Sequence, residues 1–115
     1  MTWEIRERSV GPVTVVEIRG RITLGASGDA VEEKLQEIAG RGPKGVVLDL
    51  SGVEVLDSRG IKALVRAYIS LQKRDARLKL MKLPPRIHQV LNITRLLNVL
   101  EVYDSEDAAL GSFAK

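Results

Sequence analysis

Apolar and charged side chains alternate along the first part of the chain, which is typical of β-strands that bury one face. Residues 3–8 and 13–18 both follow this pattern, and Gly11 and Pro12 lie between them. Because glycine and proline favour tight turns, the two runs predict an N-terminal β-hairpin.

A helix is predicted next, since apolar residues recur at helical spacing through Leu35 and Ile38. Asp29 is followed three residues later by Glu32, which is the arrangement of a capping box at the start of a helix. Residues 40–43 contain two glycines and a proline, and these end the predicted helix.

The middle of the chain predicts a buried strand followed by an amphipathic helix. Residues 46–50 are largely apolar and lie between turn residues, as expected of a central strand covered on both faces. After residues 57–60, Ile61, Leu64 and Tyr68 lie on one face of a helix. A separate face is basic and carries Arg59, Lys62, Arg66 and Lys73.

The remaining third of the chain continues the alternation of strands and helices. Residues 78–83 predict a strand, and the prolines 84–85 end it and begin a helix. Residues 99–103 predict a last short strand, and the acidic residues 104–107 predict the start of a final helix. Residues 92–98 show no clear periodicity.

This order of elements predicts an α/β fold with a mixed β-sheet, an N-terminal hairpin and about four helices. The sheet should be parallel in its later part. A length of 115 residues suits one domain, so we expect a single domain over residues 1–115. Functional sites in open α/β sheets lie beyond the carboxyl ends of strands, and residues 57–60 occupy such a position.

Composition excludes several classes of protein. Hydrophobic residues make up 44% and charged residues 29% of the chain, near the average for globular proteins. No apolar run approaches the roughly 20 residues of a transmembrane helix, and the alternating N-terminus differs from a secretory signal. The chain contains no cysteine, which excludes disulfides and thiol chemistry. We expect a cytoplasmic protein with no transmembrane segment.

Charge is distributed unevenly along the chain. Residues 1–57 contain seven Lys or Arg against ten Asp or Glu, and residues 58–115 contain eleven against five. This asymmetry indicates either an acidic partner or an ordinary solvated surface. Four aromatic residues in the whole chain are too few for base-stacking platforms, so no direct nucleic-acid partner is expected.

Catalytic and metal chemistry have little support in the residues. His88 is the only histidine, and without cysteine or a second histidine no ordinary zinc site or histidine-activated nucleophile forms within one chain. Asp49 and Glu54 are separated by an odd number of residues, so along a strand they point to opposite faces. The glycine-rich residues 40–45 lack the Gly-Lys-Ser/Thr ending of a phosphate-binding loop. We therefore predict no catalytic residues, no metal and no cofactor.

The segment VVLDLSGVEVLDSRGIKALV, residues 46–65, resembles the signature of the STAS domains of anti-sigma factor antagonists. In that family a strand of the form V-x-L-D/N-L is followed by D-S-x-G at the start of an amphipathic helix. The predicted hairpin before the signature and the later strands and helices also occur in the order that the family has. The resemblance implies a STAS fold.

The family resemblance implies a regulator that is not an enzyme. In the family, the unphosphorylated antagonist binds an anti-sigma factor that is also a serine kinase, and this releases a sigma factor. The kinase phosphorylates the serine of the signature, which Ser58 matches, and a serine phosphatase reverses the modification. The kinase would hold the ATP and magnesium. We expect a monomer or weak dimer.

The position of Ser58 at a helix start predicts how a phosphate would act. The first N–H groups of a helix lack partners within the helix, so they and the helix dipole would stabilise the phosphate without harm to the fold. Binding to the partner would be lost instead. The simpler interpretation is that Ser58 only caps the helix.

Two segments depart from the family pattern. Arg59 stands where relatives usually have a small residue, and it either obstructs the kinase or pairs with the phosphate. The segment Gly20-Arg21-Ile22-Thr23 stands where many relatives have Gly-Glu-Leu-Asp. The predicted partner-binding residues are Arg21, Ile22, Thr23, Asp57, Ser58, Arg59, Gly60, Lys62 and Arg66.

An alternative function remains open from the sequence. STAS domains also occur as accessory subunits that dock on membrane transport complexes, for example in lipid transport, and such a subunit would never be phosphorylated. Phosphate incorporation by a serine kinase is the observation that separates the two functions.

Overall fold

A computed structural model describes residues 3–114 and contains one five-stranded mixed β-sheet. The strands follow one another across the sheet in the order of the chain, and β1 is antiparallel to β2 whereas the other neighbours are parallel. The strands are β1 (Trp3–Val10), β2 (Val13–Ile22), β3 (Gly45–Leu56), β4 (Arg77–Met81) and β5 (Glu101–Tyr103). The predicted α/β fold, with its N-terminal hairpin and mixed sheet, is confirmed.

Four α-helices connect or follow the strands. They are α1 (Ala26–Gly40), α2 (Ser58–Gln72), α3 (Pro85–Ile93) and α4 (Glu106–Gly111). Residues 92–98, which show no clear pattern in the sequence, comprise the end of α3 and a short 3-10 turn at Leu96–Asn98. A second 3-10 turn, Ser112–Ala114, follows α4.

The sheet buries apolar side chains on both of its faces. Along β3, Val46 and Leu48 pack with residues of α1, α2 and α3, whereas Val47 packs with Ala109 of α4 on the opposite face. This alternation follows from the period of two residues in a strand. The central position of residues 46–50 in the sheet, predicted from their apolar run, is confirmed.

The start of α1 differs from the prediction. The helix begins at Ala26 with Gly25 at its N-cap, so Asp29 lies within its first turn and does not cap it. Asp29 and Glu32 instead bind Arg59 of α2. The capping box is therefore wrong, because an ion pair between distant segments uses the two carboxylates that the local pattern assigned to the helix end.

The carboxyl ends of β2 and β3 lie side by side, since Ile22 is the register partner of Leu56. The loop after β2, residues 23–25, and the junction between β3 and α2 therefore occur at the same edge of the sheet. Both contain residues that the sequence assigned to a partner-binding site. Within residues 3–114, no helix is both long and apolar enough to cross a bilayer.

Candidate partner-binding site

Asp57 caps helix α2. Its Oδ1 atom accepts hydrogen bonds from the backbone N–H of Arg59 at 2.9 Å and of Gly60 at 3.1 Å, and its own backbone is extended. Ser58 is the first residue of the helix and is exposed. Its hydroxyl makes no hydrogen bond to residues 3–114. The interpretation of Ser58 as the helix cap is wrong, because the neighbouring aspartate has that role.

The same carboxylate holds the loop that follows β2. The second oxygen of Asp57, Oδ2, accepts a hydrogen bond from the backbone N–H of Leu24 at 2.9 Å. Burial opposes ionisation of Asp57, but the N–H donors of Leu24, Gly60 and Arg59 outweigh it and lower the pKa of this carboxyl. One ionised side chain thus joins the loop to the start of α2.

Gly60 lets the first turn of α2 lie directly on the end of β2. A Cβ atom at this position would be 2.5 Å from Leu56 Cδ1 and 2.8 Å from the Ile22 carbonyl oxygen. Any larger residue would push the helix start away from the sheet. The glycine of the D-S-R-G segment therefore determines where Ser58 is held.

Arg59 is directed away from solvent and towards α1. Its guanidinium donates to Asp29 Oδ1 at 3.0 Å and to Glu32 Oε1 at 2.7 Å, and its side chain is 19% exposed. A Cβ on Gly28 would be 2.6 Å from Arg59 Cγ, so the arginine stem lies against α1 at the residue that has no side chain. The hydrogen bond to Glu32 raises the pKa of Arg59 further, against its partial desolvation.

The predicted basic face of α2, with Arg59, Lys62, Arg66 and Lys73, divides into two parts. Arg66 donates to Glu32 Oε2 at 2.9 Å, so Arg59 and Arg66 share one glutamate. Burial opposes ionisation of Glu32, but its hydrogen bonds to both arginines lower its pKa. The exposed side chains of Lys62 and Lys73 have no ion-pair partner among residues 3–114. Two of the four residues of the basic face are therefore paired with α1, and Lys62 and Lys73 are the two that are not.

The helix face that carries Ser58 shares only Lys62 with that basic set. Lys62, Val65 and Ile69 follow Ser58 at intervals of four, seven and eleven, which place them on one helix face. Val65 is half-buried and Ile69 is exposed. Ile69 was not among the partner-binding residues predicted from the sequence, although its helical spacing from Ser58 places it on this face.

The segment after β2 contributes exposed and buried residues. Arg21 is exposed, Thr23 is half-buried, and Ile22 is only 1% exposed in the core, so the Ile22 side chain cannot contact a partner directly. Leu24 of the same segment, which was not among the predicted partner-binding residues, is 82% exposed. An apolar residue just before Gly25, in a loop at the carboxyl end of a strand, was the signal for it.

Comparisons with known proteins give this edge of the sheet a family context. The model of the STAS domain family matches residues 4–109, which include both segments of the site. The chain belongs to the STAS domain family. The resemblance stated from the D-S-R-G segment and its flanking elements is confirmed.

Relatives of this STAS domain include named regulators. An anti-sigma-B factor antagonist from Listeria monocytogenes is 30% identical over 113 residues, which cover 96% of each chain. The crystal structure of an anti-sigma factor antagonist from Mycobacterium paratuberculosis has a TM-score of 0.89 at 25% identity, over 99% of this chain and 96% of that chain. A sulfate transporter family protein from Wolinella succinogenes has a TM-score of 0.77 at 26% identity, over 93% and 89% of the two chains.

Proposed function

We propose that this STAS domain is a cytoplasmic anti-sigma factor antagonist controlled by phosphorylation of Ser58. Unphosphorylated, it binds an anti-sigma factor that is also a serine kinase, and this binding releases a sigma factor. Phosphorylation by that kinase ends the binding, and a serine phosphatase restores it. The observation that carries the proposal is the exposed Ser58, whose hydroxyl does not cap α2 because Asp57 has that role. Relatives of the chain are anti-sigma factor antagonists.

The surroundings of Ser58 favour an effect on the partner over an effect on the fold. Asp57 already accepts from the N–H groups of Arg59 and Gly60, so these donors are not free for a phosphate, contrary to the expectation from the sequence. A phosphate with nearly two negative charges would also be repelled by the ionised Asp57. It would therefore project into solvent, where a partner docks.

The orientation of Arg59 is compatible with access of a kinase to Ser58. The arginine stem lies across Gly28 and its guanidinium is held by Asp29 and Glu32. The side chain thus lies along α1 and does not extend into solvent beside the hydroxyl. Because Arg59 is paired with α1, the next cation along the helix is Lys62, four residues after Ser58. Its exposed side chain is free to pair with a phosphate on Ser58.

Kinase assays with the wild type and Ser58→Ala test the proposal. The purified chain is incubated with ATP and the anti-sigma factor serine kinase encoded in the same genome, and phosphate incorporation is located by mass spectrometry. We expect one phosphate on Ser58 in the wild type and none in Ser58→Ala, which should still bind the kinase. Absence of phosphate from the wild type, with an active kinase, would contradict the proposal.

A second candidate function is an accessory subunit of a membrane transport complex. The structural similarity to a sulfate transporter family protein at 26% identity favours it. This function predicts that no kinase modifies Ser58, and that the chain binds a transporter component with equal affinity in the wild type and Ser58→Asp.

A further inference from the structure

Leu24 is the most exposed of the large apolar side chains in residues 3–114, with 82% of its surface accessible. A single exposed leucine is common on protein surfaces and needs no explanation. Leu24 differs from such a residue in its position, because its backbone N–H donates a hydrogen bond to Asp57, the residue before Ser58.

The loop that carries Leu24 is held at several points. Asp57 Oδ2 binds the Leu24 N–H at 2.9 Å, and Ser27 Oγ accepts from the Thr23 N–H at 3.0 Å. The Thr23 carbonyl accepts from the Gly28 N–H at 3.0 Å. When the backbone of a loop is already fixed, a partner that buries its side chain does not have to order the loop, so more of the burial contributes to affinity.

An unpaired basic side chain lies on each of the two segments near Leu24, the end of β2 and the start of α2. Arg21, three residues before Leu24, and Lys62, one helical turn after Ser58, are exposed and have no ion-pair partner among residues 3–114. The arginines at 59 and 66 are paired with α1. Leu24 and the two unpaired cations belong to segments that meet at one edge of the sheet. Such a surface is complementary to an apolar pocket with an acidic rim.

We propose that Leu24 is the apolar anchor of the docking surface and enters an apolar pocket on the anti-sigma factor. Carboxylates at the rim of that pocket pair with Arg21 and Lys62, and Asp57 acts as the positioning residue for Leu24. This inference rests on the proposed function. It also gives a physical reason for the switch, because a phosphate on Ser58 places negative charge against the acidic rim.

Calorimetric titration with the purified anti-sigma factor kinase, without ATP, tests this role of Leu24. Leu24→Ser is compared with Ile93→Ser, a matched control at the end of α3 whose side chain is 71% exposed. We expect Leu24→Ser to weaken binding at least about 30-fold, as for a buried apolar hot spot, and Ile93→Ser to leave it within about twofold. Both variants should melt at the temperature of the wild type, because both side chains are exposed.

Titration of Ser58→Asp in the same series separates this inference from the proposed function. If Ser58→Asp loses binding and Leu24→Ser binds like the wild type, the role of Leu24 as an anchor is contradicted, whereas the control of binding at Ser58 is supported. If Ser58→Asp binds like the wild type, the proposed function fails, whatever Leu24→Ser does. Equal losses in Leu24→Ser and Ile93→Ser would also overturn the anchor, since they would assign the effect to any exposed apolar residue.

Discussion

Arg59 and Glu32 join the two helices that pack side by side on the sheet, with 2.7 Å between Arg59 Nη1 and Glu32 Oε1. Glu32 also binds Arg66, so one carboxylate of α1 holds two arginines of α2. This pairing turns the side chain of Arg59, the residue next to Ser58, away from the proposed docking surface.

Replacement of Glu32 by Gln should lower the free energy of unfolding by about 1 kcal/mol at neutral pH, the upper range for partly exposed ion pairs. Because its pairs with Arg59 and Arg66 lower the pKa of Glu32 in the folded chain, its contribution is complete above the ordinary value of 4.5. The contribution decreases below that value and is lost as the pH falls through the lowered pKa of the folded chain. Urea unfolding at pH 7 and pH 3 measures both effects.

The matched control is Glu33→Gln, on the same turn of α1, where the side chain is exposed and makes no ion pair within residues 3–114. Its stability should stay within about 0.5 kcal/mol of the wild type. Equal losses in the two variants at pH 7 would contradict the role assigned to Glu32.

The capping role of Asp57 predicts a large difference between two adjacent substitutions. Asp57→Ala removes the acceptor of three backbone N–H groups and should cost about 1 to 2 kcal/mol of stability. Ser58→Ala should cost less than about 0.5 kcal/mol, since its hydroxyl caps nothing. Thermal and denaturant unfolding measure both, and a larger loss in Ser58→Ala would show that the serine is the cap.

Two substitutions of glycine by alanine should differ in their effect on stability. Gly60→Ala places a Cβ 2.8 Å from a backbone carbonyl oxygen, so it should destabilise the fold by about 1 to 3 kcal/mol. Gly40→Ala, at the end of α1, meets nothing within 4 Å, and it should be neutral or stabilise by up to about 1 kcal/mol. Differential scanning calorimetry compares the two, and equal melting temperatures would contradict the close approach at Gly60.

Lys62 should influence the rate of association with the anti-sigma factor more than Lys73 does. Both lysines are exposed, but Lys73 is eleven residues further along, about 16 Å at 1.5 Å per residue. That distance exceeds the screening length of roughly 8 Å at physiological salt. Lys62→Glu should therefore slow association and flatten its salt dependence.

Stopped-flow measurements at two ionic strengths check this expectation, with Lys73→Glu as the control for net charge. If both reversals slow association equally, the effect comes from the overall charge of the protein. In that case Lys62 has no specific place in the docking surface.

The sequence alone predicts most of the fold, because the strands and helices follow from periodicities that are local. The alternation at residues 3–8 and the helical spacing through Leu64 and Tyr68 each reflect which side of an element is buried. The position of Ser58 between a buried strand and an amphipathic helix was predictable for the same reason.

The assignment of polar and exposed side chains was decided by tertiary structure. Asp29 and Glu32 fit a local capping box, yet they bind Arg59, which is 30 and 27 residues further along the chain. These contacts form only when α1 and α2 pack together. Asp57 likewise binds Leu24 only because β2 and β3 end at the same edge of the sheet. Local periodicity shows which face of an element is apolar, but it contains no information about which polar groups from distant segments become neighbours.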